Sequence, residues 1–119
     1  MKKPREAFNF SRRMASFRHA LQGIRFALVT QHNFRIQLVA AMAAVGLGLL
    51  WQVSADDWRW LVVAIAIVLA AELVNTAFEH LCDVVQPELH ASVKAAKDVA
   101  AGAVLVASAG AAIIGALVF

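Results

Sequence analysis

The sequence predicts an all-α integral membrane protein: an N-terminal amphipathic surface helix followed by three transmembrane helices. Three observations predict it. Apolar runs fill residues 36–53, 60–78 and 99–119, each about the twenty residues a helix needs to cross a ~30 Å hydrocarbon core. Hydrophobic residues make up 61% of the 119 and charged residues only 16%, against roughly 25% charged in soluble domains. The stretch before the first run segregates basic from apolar positions at helical spacing. Strands are excluded as spanning elements, because an open sheet edge has no hydrogen-bond partner in lipid. At this length the chain is expected to be a single membrane domain, 1–119.

The surface helix is placed at 11–30. Phe17, Leu21, Ile24 and Leu28 recur at i, i+4, i+7 and i+11, while Arg18, Gln22 and Arg25 share another face. Ser11 or Ser16 is expected to cap its start. A basic amphipathic helix ahead of a span fits an interfacial position over anionic headgroups. The same setting accounts for the net charge of +3 and the pI near 9.6, so nucleic acid is not an expected partner.

The spans are placed at 36–53, 59–80 and 98–119. Eight of the eleven Lys and Arg precede the first: Lys2, Lys3, Arg5, Arg12, Arg13, Arg18, Arg25 and Arg35. The turn before the second span has only Arg59, and the loop before the third has Lys94 and Lys97. The bias of cations toward the cytoplasm therefore puts the N-terminus and the 80–97 loop inside. Trp51, Trp58 and Trp60 cluster at the expected outer boundary, where interfacial aromatics collect. Along the third span, Ala103, Ala107, Ala111 and Gly115 form a small-residue stripe suited to close helix approach. Three helices make a thin bundle, so oligomerisation is expected to complete it.

The second span carries the chemistry. Glu72 is the only ionisable residue between Trp60 and Phe78, and a carboxylate at such depth costs about 3 kcal/mol on insertion scales. Glu72, Asn75, Glu79 and Asp83 fall at i, i+3, i+7 and i+11, one helical stripe running from lipid toward water. Pro87 ends any helix continuing from this span. Acidic residues at the inner boundary suit a divalent cation shared with phosphate oxygens, and Lys97 suits a phosphate as a point charge. On residue types alone, Glu79 and Asp83 are equally well two solvated acids at a helix end. Lys97-Asp98 is equally well an ordinary helix start, with Asp98 complementing the dipole. His80 and His90 read as surface residues before they read as ligands. Cys82 is the sole cysteine, which rules out a disulfide framework or a cysteine zinc site. No G-x-x-x-x-G-K-S/T or G-x-G-x-x-G loop occurs, and no cleavable signal peptide is evident.

The string AELVNTAFEHLCD, with a short His-containing loop and then AKDVAAGAVLV, resembles the prokaryotic diacylglycerol kinase family, which includes undecaprenol kinases. Glu72, Asn75, Thr76, Ala77, Glu79, Asp83, Lys97, Asp98, Ala103 and Val104 carry the match. Upstream, SFRHALQGIRFALVTQHNFRIQ is similar to the family's surface helix and elbow, so the resemblance covers about residues 12–115.

The resemblance implies a homotrimer in the bacterial cytoplasmic (inner) membrane. It transfers the γ-phosphoryl group of ATP, with Mg²⁺, to a lipid hydroxyl at sites shared between subunits. It implies Glu72 as general base, Asn75 as an orienting group and Glu79 as metal ligand. It also implies Lys97, Asp98, Glu88 and His90 at the nucleotide, and Arg12 and His19 in substrate contact. One position departs from the pattern: where the family has a second metal-ligating Glu, this sequence has Gln31, whose neutral amide oxygen is expected to weaken metal binding rather than abolish activity. Two other readings compete with the lipid kinase. One is a small proton-coupled transporter using Glu72, which would have no need of the Lys97-Asp98 loop. The other is a catalytically weakened or silent homologue, to which Gln31 gives weight.

Overall fold

The computed structural model describes residues 9–85 and 90–119, and every regular element in them is helical: α1 (Phe10–Thr30), α2 (His32–Leu50), α3 (Ala55–Val85) and α4 (Ala91–Val118). Helices α2, α3 and α4 are each long and apolar enough to cross a membrane. The all-α membrane architecture expected from the sequence is therefore the one observed. Pro87 and Glu88 lie outside the described residues.

Helix starts differ from expectation in ways that matter for the site. Asn9 caps α1, its side-chain oxygen accepting from the Arg12 N–H at 3.3 Å. Ser11 and Ser16 do not cap it; Ser16 lies inside the helix and donates its hydroxyl back to the Arg12 carbonyl at 3.0 Å. Asn ranks with Ser as an N-cap, and Asn9, upstream of both serines, captures the helix start. Helix α4 begins seven residues before the expected 98, because the His90 side chain accepts from the Ser92 N–H at 3.1 Å and caps it there. Lys97 and Asp98 thus sit two turns inside α4 and are not its start.

Helix α1 breaks from α2 at one residue, Gln31, which is extended (φ −107°, ψ 110°). Buried Ala27 and Phe34 flank the break and hold the elbow. Phe17, Leu21 and Leu28 of the expected apolar stripe stay exposed, Phe17 being 62% exposed. Toward α3 the helix turns Ala20, Gly23 and Ala27, with Ile24 of the stripe and Phe26 beside them.

Helix α3 is central. Its buried residues Leu61, Ala64, Val68, Glu72 and Thr76 recur every three or four positions, while α4 has no buried residue in the single chain. At 31 residues and 1.5 Å per residue, α3 is about 46 Å long, so it outreaches a ~30 Å core. At one end of the bundle, Gly48 admits the Trp58 indole so closely that a Cβ on Gly48 would lie 2.8 Å from the ring. Trp51 meets Phe119 edge to face at 5.3 Å at that same end, so α2 and α4 close together there. Ala111 and Gly115 of the small-residue stripe line a cleft of about 260 Å³ that also involves α2 and α3, whereas Ala103 is exposed.

Candidate functional site

Helix α3 sets out the site as a gradient. Glu72 is 4% exposed. One turn on, buried Thr76 donates its hydroxyl to the Glu72 carbonyl at 2.9 Å, which satisfies a polar group that burial would otherwise penalise. Asn75 is half-buried and its Oδ1 is fully enclosed with no hydrogen-bond partner among the described residues. Native structures contain few such atoms, and each one calls for an explanation such as a catalytic role. Glu79 is half-buried and Asp83 exposed. Over eleven residues, about 16 Å of helix, the stripe passes from the apolar interior to the polar end.

Helix α4 meets the stripe at that polar end. Lys97 Nζ donates to Asp83 Oδ1 at 2.5 Å across the two helices, and Lys94 Nζ donates to Asp98 Oδ2 at 2.7 Å within α4. Both lysines lie in the polar first turns of α4, before the apolar run. The hydrogen bond to Asp83, joined by the charges of Asp83 and Glu79, raises the Lys97 pKa above its ordinary value. The hydrogen bond to Asp98 does the same for Lys94.

Helix α1 covers the other side. Phe26 and His80 meet edge to face at 5.0 Å. Beneath α1, a cavity of about 370 Å³ is lined by Gly23, Ala27, Leu73, Thr76 and His80 among others. Its wall includes Thr76, so the cavity abuts the backbone of the Glu72 turn.

Glu72, Asn75 and Glu79 thus share one face of α3, and Lys97 of α4 reaches its polar end through Asp83. Asp98 is engaged by Lys94, and His90 spends its Nδ1 on the helix cap. Gln31 is half-buried at the α1–α2 elbow and its side chain makes no capping bond. Arg12 and His19 are exposed on α1, His19 within 3.4 Å of Gln22 on its own helix. Sequence reasoning gives Asp83 no partner, since a pair fourteen positions apart has no periodic signature. It misses the cap at His90 as well.

No group of three or more His, Cys, Asp or Glu side chains converges among the described residues. The oxygen donors of Glu79 suit a hard cation completed by phosphate oxygens and water, as Mg²⁺ sites usually are.

The sequence model for "Prokaryotic diacylglycerol kinase" matches residues 18–119. The chain belongs to the prokaryotic diacylglycerol kinase family. Membership makes it a lipid kinase. It is 40% identical over 104 residues to an undecaprenol kinase of Bacillus subtilis, covering 87% of this chain and 85% of that protein. A diacylglycerol kinase of Synechocystis is 39% identical over 103 residues, covering 86% of this chain and 59% of that longer protein. The diacylglycerol kinase of Escherichia coli K12 is 30% identical over 98 residues, covering 82% and 80%.

Proposed function

We propose that this chain transfers the γ-phosphoryl group of ATP to the hydroxyl of a membrane lipid, diacylglycerol or undecaprenol, at the cytoplasmic face of a bacterial inner membrane. The observation that carries the reading is Glu72, a carboxylate buried in an apolar helix at the head of a stripe that ends in charge. A base placed there reaches a hydroxyl that never leaves the lipid phase. The donor's phosphates are met lower on the stripe.

In this mechanism Glu72 accepts the proton of the lipid hydroxyl as its oxygen attacks the γ-phosphorus. The bond between that phosphorus and the bridging oxygen breaks, ADP departs, and the proton returns to water. The enclosed Asn75 amide orients the entering hydroxyl by donating an N–H to its oxygen, which leaves the hydroxyl's single proton for Glu72. Lys97 donates to the nucleotide's phosphates as a point charge. Asp98, His90 and Glu88 border the nucleotide, and Arg12 and His19 contact substrate from α1. When bound, Mg²⁺ offsets charge developing on the transferred phosphoryl group; Glu79 would hold it, with Gln31 as a neutral second ligand. A homotrimer completes the site, consistent with an α4 that buries no residue in the single chain. The positive-inside tendency supports a cytoplasmic N-terminus.

The test is transfer of radiolabelled γ-phosphate from ATP to diacylglycerol and undecaprenol, assayed side by side in mixed micelles. Label in either lipid supports the reading and names the acceptor. Protein that is folded but inert with both overturns it in favour of the silent homologue that Gln31 suggests.

A further inference from the structure

We infer that Asp83 is a positioning residue of the phosphate site: it holds the Lys97 ammonium at the polar end of the α3 carboxylate stripe, so that the lysine meets the nucleotide already placed. The inference rests on the kinase mechanism proposed above, in which Lys97 meets phosphate, and adds a residue to which that mechanism gives no task.

The geometry begins with reach. A lysine side chain is a compact charge on a flexible four-carbon stem, and ordering it at the moment of binding costs affinity. Lys97 leaves the second turn of α4, and its Nζ is delivered to Asp83, fourteen positions away on α3. Lys94–Asp98 is an i, i+4 pair within α4, exposed on both sides, and links nothing across the bundle. Lys97–Asp83 is therefore the ion pair that ties the two helices together among the described residues.

The pair is poorly suited to a purely structural task. Its side chains are 36% and 61% exposed, and exposed ion pairs contribute little to stability. It is well suited to presentation. An ammonium has three N–H donors; one goes to Asp83, which leaves two for an incoming anion. Asp83 lies one helical turn beyond Glu79 on the same stripe, about 6 Å along the helix, and Lys97 Nζ is held there. The aspartate thus aims the lysine at the level of the stripe where the phosphates and the metal are proposed to sit.

The experiment compares steady-state kinetics of the full chain, in mixed micelles with Mg²⁺ in excess, for Asp83→Ala, Asp83→Asn, Lys97→Ala, the double alanine variant and the reversed pair Asp83→Lys/Lys97→Asp. Thermal melting and crosslinking are run on each, and only variants that melt and crosslink like the parent are read. In Asp83→Ala the KM for ATP rises about threefold to tenfold, the scale of ordering one long side chain, with kcat nearly unchanged. Asp83→Asn, which keeps an oxygen acceptor, gives a smaller rise. Lys97→Ala raises KM further, and adding Asp83→Ala to it changes nothing more, because the aspartate acts through the lysine. The reversed pair restores the helix-to-helix link but not the KM. An unchanged KM in Asp83→Ala overturns the positioning role. A reversed pair with parental KM also overturns it, since the pair would then be only a tether. If Lys97→Ala itself leaves KM unchanged, Lys97 does not meet phosphate, and the failure belongs to the proposed mechanism and not to Asp83 alone.

Discussion

Gln37 Nε2 donates to Ser108 Oγ at 3.1 Å, joining α2 to α4 across seventy-one positions of sequence. Both residues edge the 260 Å³ cleft, whose other walls are alanine, glycine and branched aliphatics. Both are half-buried, and a polar side chain among apolar walls needs a partner. The bond fixes how far α2 stands from α4, and with it the width of the cleft. Ser108→Ala is expected to destabilise the protein by about 0.5–2 kcal/mol, the scale of polar interhelical bonds in membranes and of an amide left unpaired. Thermal unfolding in detergent checks this. A melting temperature equal to the parent's would mean that Gln37 finds another partner.

Glu72→Gln is expected to keep the helical fold and ATP binding while turnover falls about 10²-fold or more, the scale of losing a general base. The amide preserves the side chain's shape, and the Thr76 hydroxyl bond goes to the Glu72 backbone, which is unaltered. Lipid phosphorylation and nucleotide binding are measured on the same preparation. Parental turnover in the variant would remove Glu72 from the chemistry.

Gly48→Ala is expected to cost about 1–3 kcal/mol, the range for forcing extra volume into a packed contact, because its Cβ falls 2.8 Å from the Trp58 ring. Trp58→Leu in the same chain is expected to recover most of the loss by removing the ring. The two melting temperatures, set beside that of Trp58→Leu alone, measure the coupling. Additive effects would show that the ring swings aside at no cost.

What is legible in the sequence divides along physical lines. The three spans are legible because hydrophobic length answers to a fixed bilayer thickness. The Glu72–Asp83 stripe is legible because helical spacing puts four polar residues on one face. Helix starts are less so. Asn9 and His90 win the caps over Ser11 and a start near Lys97, and local cap competition is decided by single hydrogen bonds worth about 1 kcal/mol. The α1 face that meets α3 is hidden too. Its Ala20, Gly23 and Ala27 are too small to mark out an apolar stripe, and Phe26, which meets His80, lies off the expected one. Contacts such as Lys97–Asp83 and Gln37–Ser108 join residues with no shared period, so they emerge only once the helices are placed.

Position 31 carries the last prediction. Gln31 is fixed through its backbone: its N–H donates to the Ala27 carbonyl at 2.8 Å, and its carbonyl accepts from the Arg35 N–H at 3.3 Å. The side chain is not needed for the elbow, since it makes no capping bond. Gln31→Glu therefore changes charge without disturbing the turn, and a carboxylate at the start of α2 is favourable toward that helix's dipole. If Gln31 acts as a weakened metal ligand, the added carboxylate lowers the Mg²⁺ concentration for half-maximal activity severalfold. The preference between diacylglycerol and undecaprenol stays as it was, because the change touches the metal and not the hydrocarbon. If the metal is held by Glu79 with water and phosphate oxygens alone, the new charge repels Glu79 and the nucleotide. Activity then falls, and more Mg²⁺ is needed. Titrating Mg²⁺ at fixed ATP for both proteins separates the outcomes, with melting temperature as the control for the elbow. A variant curve that is unmoved or displaced to higher Mg²⁺ sinks the ligand reading of Gln31.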